Sequence, residues 1–331
     1  MFRFFLKTLA LTALAPLSAF AAGPVAQGGV PSQTVRIVVP YAPGGGLDVL
    51  ARGLADRLQQ KWGRPVIVDN KAGASTIIGA TAVAKAVPDG HTLLLTSEAT
   101  ITSNPFLFEK LPYDPVKDLI PIARLASLPQ MVIANPAVAA STMKDLVQLA
   151  KSPGKNPGLS YASYGSGSLP HLLFEGLRHQ SGASIVHVPY KGIVPAVMAV
   201  LSGEVDLTLA GVPSAQGHIA AGKLKALAVA GPARLAVLPQ VPTLKEVGLG
   251  DIDPGESWFG LFVTAGTPPA LVQQIQKTVA EVGADPAFRD RYVTSRGYEP
   301  VFSGSEAFAE FIQEDMRRKA RLIRISGAKA E

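Results

Sequence analysis

Residues 35–52 read VRIVVPYAPGGGLDVLAR, and this stretch decides the fold. Val35, Ile37, Val38 and Val39 form a short β-branched run, which predicts a strand buried on both faces, as in a parallel sheet. Pro40 and Pro43 bracket a stiff turn, and Gly44, Gly45 and Gly46 let the backbone approach a ligand closely. Leu47, Leu50, Ala51 and Leu54 then recur at helical spacing, so a helix starts just after the glycines. A strand, a glycine loop and a helix N-terminus in this order leave unpaired N–H groups aimed at one spot, where the helix dipole favours an anion. A plain connection between strand and helix is the alternative. Asp48 is either a cap for that helix or a member of the site.

Outward toward the N-terminus, the stretch is preceded by the features of an export signal. Arg3 and Lys7 supply positive charge, residues 8–20 are largely apolar, and Ala19-Phe20-Ala21 is a small-x-small cleavage pattern. A signal peptide over residues 1–21, cleaved near Ala21, and a flexible leader over 22–33 are expected. A periplasmic location follows from that expectation. The apolar run is too short to span a bilayer. The chain contains no cysteine, so neither lipidation at a cysteine, nor a disulfide, nor a thiolate metal site is available. Without the signal the charge is mild, 29 basic against 25 acidic residues. The excess is spread out except at the end of the last helix, which argues against nucleic-acid binding.

About 310 residues remain, enough for two domains. Downstream, strands are predicted over 65–68 and 91–96 with a small-residue helix over 77–86 between them, giving a βαβαβ unit. Ser97, Glu98 and Thr100 follow the third strand on the same sheet edge as the glycine loop, where open α/β sheets bind ligands. Extended segments over 122–125 and 131–134 flank Pro129, as expected where a chain crosses between domains. A second α/β series then runs from a Pro/Gly/Lys connection at 152–158. It has strands over 159–162, 185–188, 205–209 and 224–229 and helices over 170–181 and 194–202, and a helix over 143–150 precedes the connection. Its first strand ends in a Gly/Ser loop, residues 163–168, that opens a helix just as the first loop does. A return strand over 258–263 and amphipathic helices over 268–282 and 306–323 complete the chain. The expected architecture is α/β and two-lobed: lobe 1 over 34–125 and 251–331, lobe 2 over 126–250, with a ligand cleft between them.

Catalytic readings are weaker. Gly44 and Gly46 fit part of the dinucleotide fingerprint, but Val49 occupies its third glycine position and would push the helix off the sheet. No Gly-x-Ser-x-Gly elbow surrounds Ser166 or Ser168, and His171 has no identifiable acid partner. The five histidines lack metal-ligand spacing, with His179 and His218 on helices. No catalytic residue, metal or cofactor is expected.

Several motifs occur in order along the chain: VVPYAPGGGLDVLAR, VIVDNKAGASTIIGA, PDGHTLL, LPYDPVKDLIPI, VPYKG, AGKLKALAV, LPQVPTLKEVG and WFGLFVTAGTP. The set resembles the extracytoplasmic solute-binding receptors of tripartite tricarboxylate transporters, also called the Bug family, over nearly the whole mature chain. The resemblance implies a two-lobed periplasmic binding protein, type II-like, that closes on a small carboxylate ligand. It also implies delivery to the permease subunits of a tripartite membrane transporter by a monomeric receptor. A receptor for a membrane sensor protein is the alternative, and a dinucleotide-dependent enzyme the remote one. Carried over, the first-lobe ligand loop is Tyr41, Ala42, Pro43, Gly44, Gly45 and Gly46 with Asp48, followed by Ser97, Glu98 and Thr100. The second-lobe loop is Ser163, Tyr164, Ser166 and Ser168 with His171, and Tyr190 lies in the VPYKG loop. Where relatives carry Phe-Asp-Asn, this chain has Leu209, Ala210 and Gly211, which suggests a roomier wall and a larger ligand, such as an aromatic acid. The usual Pro-Gly-Ala-Gly-Gly is Lys71, Ala72, Gly73, Ala74 and Ser75. Glu98 repels an anion if it points inward, so it either faces away or binds a cationic part of the ligand.

Overall fold

The protein is described here by a computed structural model covering residues 31, 33–151 and 158–329. The expected signal peptide, almost all of the leader and most of the 152–158 connection lie outside the described residues.

The first lobe begins with β1 (Val35–Val39), α1 (Gly46–Trp62), β2 (Val66–Asn70), α2 (Ile77–Ala84), β3 (Thr92–Ser97), α3 (Asn104–Leu107) and β4 (Leu119–Leu128). The chain crosses at Pro129 into β5 (Gln130–Ala134), α4 (Met143–Lys151), β6 (Leu159–Ser163), α5 (Leu169–Ser181), β7 (Ile185–Pro189), α6 (Ile193–Ser202), β8 (Leu207–Gly211), α7 (Val212–Ala220) and β9 (Lys225–Ala230). It returns to the first lobe as β10 (Ser257–Thr264), α8 (Pro269–Ala284), α9 (Pro286–Tyr292), β11 (Glu299–Ser303) and α10 (Ser305–Ser326).

Alternation along β1 explains its continuous apolar run. Val35, Ile37 and Val39 enter the core under α1, whereas Val38 enters the core on the opposite sheet face, so both faces are covered. Each buried aliphatic side chain contributes about 1.5–3 kcal/mol. β2, β1 and β3 pair in parallel as the βαβαβ pattern requires. The full sheet is nevertheless mixed. Its order is β11-β4-β10-β3-β1-β2, and the returning β10 runs antiparallel between β3 and β4. The second sheet, β7-β6-β8-β5-β9, is mixed in the same way: β6 is parallel to β7 and β8, and β5 is antiparallel to β8 and β9. α9 and β11 are additions to the sequence-based outline, and β4 is one ten-residue strand where only residues 122–125 were expected.

α10 belongs to both lobes. Phe308 and Ile312 pack against Trp258 and Phe262 in the first lobe, while Leu322 and Ile323 pack in the second-lobe core with α5. The residues expected to form only the closing part of lobe 1 therefore also build lobe 2.

Candidate functional site

Two small-residue loops meet across the gap between the sheets. From the first lobe come Tyr41, the Ser75–Thr76 turn, Glu98, and the segment holding Asn104, Leu107 and Phe108. From the second comes the loop from Tyr164 to Ser168. Together they enclose a cleft of about 360 Å³. The lobes touch at one rim, because a Cβ placed on Gly167 would stand 2.6 Å from the Leu107 side chain.

The first-lobe wall is held by buried hydroxyls. Thr96 Oγ1 lies 2.5 Å from Thr100 Oγ1, which donates to Thr76 Oγ1 at 2.8 Å, while Tyr113 donates to the Thr100 carbonyl at 2.6 Å. Asn104 Nδ2 donates to the Ser75 carbonyl at 2.8 Å and to Thr76 Oγ1 at 3.2 Å. These bonds fix a turn in which Ala74, Ser75 and Thr76 all have positive φ, 46°, 50° and 77°. Three successive non-glycine residues in that region are strained, and such strain persists only where surrounding contacts dictate it.

Tyr41 and Ser97 share a hydrogen bond of 2.7 Å at the floor of the cleft. Burial, aided by the charge of Glu98, pushes the Tyr41 phenol up to about 12, and burial with the same charge raises Tyr164. Both rings therefore present neutral hydroxyl groups. Glu98 faces inward. Its Oε2 accepts from Ser257 Oγ at 2.7 Å and from the Trp258 N–H at 3.4 Å, and burial raises its carboxyl above the usual range despite the nearby Lys319.

The other expected residues are placed differently. Asp48 is buried and committed to the glycine loop: its carboxylate accepts from Gly44 N at 2.9 Å, Arg52 Nε at 3.0 Å and Asn70 Nδ2 at 2.9 Å. Burial works against its charge, but the Arg52, Gly44 and Asn70 hydrogen bonds together hold its carboxyl below the usual range. It does not cap α1, whose cap is Gly45. Ala42, Pro43, Gly44 and Gly45 are exposed outside the cleft lining, and Gly46 is packed beneath the Tyr298 ring. Thr100 is fully buried and acts within the hydroxyl chain.

In the second lobe, Ser163 is fully buried, and its Oγ lies 2.6 Å from His187 Nε2. His171 accepts at Nδ1 from the Gly167 N–H at 3.1 Å and packs its ring on His187, so it braces the loop from behind. Ser168 Oγ donates to the Gly165 carbonyl at 2.6 Å. Ser166 lines the cleft, and no protein partner for its hydroxyl is found among the described residues. Gly165, at φ 119°, and Gly167, at φ 76°, take conformations that favour glycine and so shape the loop.

Tyr190 sits outside the cleft lining and donates to Glu204 Oε1 at 2.8 Å. Gly211 caps α7, whose Pro213 meets Gly297 of the first lobe, and Ala210 is buried in the core. The roomier wall expected from Ala210 and Gly211 therefore has no counterpart in this cleft lining. Ser75, Thr76, Asn104, Leu107 and Phe108 are lining residues that sequence reasoning missed. The one available signal was that the loop after β2 opens on the same sheet edge as the glycine loop.

Comparison with known proteins places this geometry. A family model described as "Tripartite tricarboxylate transporter family receptor" matches residues 50–328. The chain is 33% identical to protein BugT of Bordetella pertussis over 325 residues, 98% of each chain. It is similar to the structure of the periplasmic binding protein BugD, with 31% identity and a TM-score of 0.71, covering 91% of this chain and 100% of that one. It is also similar to Rpa4515 of R. palustris with adipate, with 28% identity and a TM-score of 0.74, covering 90% of this chain and 99% of that one.

Proposed function

Because this chain belongs to the tripartite tricarboxylate transporter receptor family, we propose that it captures a small carboxylate between its lobes and hands it to the permease of a tripartite membrane transporter. The observation that carries this reading is the composition of the cleft. Its walls come from both lobes, so a ligand inside gains its full set of contacts only when the lobes are together. Differential affinity for the closed state then shifts the population toward closure.

In this reading the carboxylate sits against the second-lobe loop, where the start of α5 supplies amide groups and positive dipole potential and Ser166 supplies a hydroxyl. Tyr41 and Tyr164 donate from neutral phenols. Leu107, Phe108 and Leu169 form an apolar side that suits a hydrocarbon or aromatic body. The exported, periplasmic state and a monomeric receptor complete the proposal.

A thermal-shift screen of the purified protein against mono-, di- and tricarboxylates, aromatic acids and amino acids tests it. A ligand at 100 times its dissociation constant stabilises by about 2.7 kcal/mol. The expected result is a raised melting temperature with at least one carboxylate, accompanied by a smaller radius of gyration in solution scattering. A panel in which no carboxylate shifts the melt overturns the reading.

A further inference from the structure

Among the described residues, the cleft walls carry one ionisable carboxylate, Glu98, and no lysine, arginine or histidine. An anion entering this cavity meets a carboxyl and no cationic side chain from its lining. The surroundings of Glu98 add to this. From α10, Asp315 and Lys319 approach it; both are almost wholly buried, with Lys319 Nζ 3.9 Å from Asp315 Oδ1. Lys319 also donates to the Pro254 carbonyl at 2.5 Å. From β10, only the Ser257 hydroxyl and the Trp258 N–H reach its carboxylate, and from the two loops the neutral Tyr41 and Tyr164 face it. From β4, Arg124 is paired with Glu256. Lys319 thus answers Asp315, Arg124 answers Glu256, and Glu98 makes no ion pair among the described residues. Glu98 is thus the acid of the three without an ion pair: it lines the cavity, and burial disfavours its charge although Lys319 is near.

A dicarboxylate in this cleft adds two negative charges beside a buried carboxyl that has no ion-pair partner. A ligand with one carboxylate and one cationic nitrogen supplies that partner. We propose that the solute is an amino-carboxylate, with its ammonium group on Glu98 and its carboxylate on the Gly165–Ser168 loop. This rests on the receptor reading given above and makes Glu98 the residue that selects among carboxylates. The raised carboxyl of Glu98 agrees with a site awaiting a cation, since a bound ammonium restores its charge.

The test is calorimetric titration of the purified protein with three matched pairs: succinate and 4-aminobutyrate, glutarate and 5-aminopentanoate, adipate and 6-aminohexanoate. At pH 7 at least one amino acid should bind about tenfold more tightly than its diacid partner, the scale of one charge-assisted hydrogen bond. Glu98→Gln should reduce that preference to about threefold or less, while Glu98→Asp should retain part of it. Affinity of the wild-type protein for the preferred amino acid should fall as acid protonates Glu98.

Equal or tighter binding of the diacid in every pair overturns the proposal, as does a preference that survives Glu98→Gln. A diacid affinity that rises on acidification also overturns it, because Glu98 would then be donating a proton to an anion. If none of the six binds while other carboxylates do, the proposal fails and the receptor reading stands. If no carboxylate binds at all, the receptor reading fails first. Should Glu98→Gln not fold, the wild-type pairs and their pH dependence decide the matter.

Discussion

Lys319 is fully buried on α10, and removing its charge should be among the most damaging single changes in the first lobe. At 3.9 Å from Asp315 Oδ1, its Coulomb attraction is about 4 kcal/mol at an effective dielectric of ~20. Lys319→Met deletes that attraction and leaves Asp315 buried, held only by Thr102 Oγ1 at 2.7 Å and Trp258 Nε1 at 3.1 Å. Stranding one member of a buried pair costs about 3–5 kcal/mol. The double variant Lys319→Met with Asp315→Asn keeps an acceptor for Thr102 and Trp258 and leaves no stranded charge at position 315. It should therefore be less destabilised than the sum of the two single changes, with a coupling of about 2–3 kcal/mol. Urea unfolding followed by tryptophan fluorescence reads this directly, because Trp258 touches Asp315. Single-variant losses that add to within about 0.5 kcal/mol of the double-variant loss would refute the pairing.

Other consequences follow from the same contacts. Gly167→Ala places a Cβ 2.6 Å from Leu107 at a φ of 76°; it should lower stability by about 1–2 kcal/mol and weaken ligand binding more than tenfold by holding the lobes apart, read by melting and titration. Asp48→Ala removes the acceptor shared by Gly44 N, Arg52 Nε and Asn70 Nδ2, of which Asn70 keeps its bond to the Tyr41 carbonyl, and should cost about 1–3 kcal/mol at pH 7. Because the Asp48 carboxyl is held below its unfolded value, its contribution is present above about pH 4 and is lost as pH falls through the folded pKa. The difference between wild type and Asp48→Ala should therefore shrink in acid, and a difference that grows there would contradict the clamp. Leu322→Ala empties a fully buried site in the second-lobe core and should cost about 2–5 kcal/mol in urea unfolding.

Local chemistry made β1, the glycine loop and α1 readable: β-branched residues, then glycines, then a helical apolar period. The Gly/Ser loop before α5 was readable for the same reason. What escaped reading depends on partners far along the chain. β10 enters between β3 and β4, and no periodicity in residues 257–264 encodes which strands it joins. The setting of Glu98 in the cleft wall depends on Ser257, 159 residues away, which donates to its carboxylate. The Ala74–Thr76 turn has no sequence signal, because its residues are not the ones that prefer positive φ; buried Thr100 and Asn104 impose it. Asp48 was left open between cap and site, and the structure gives it a third role, reaching back to a loop amide four residues earlier.

The position of β10 and α10 has a bearing on how the protein is made. β3 and β4 emerge from the ribosome early, but they join one sheet only when β10 takes its place between them. The second lobe likewise lacks Leu322 and Ile323 until α10 is synthesised. Neither half has a finished core while the chain is growing, and pairings of such long sequence separation form slowly. A nascent chain built this way stays open until nearly all of it exists. That delay is compatible with the export proposed above, in which the chain is threaded across a membrane before it folds.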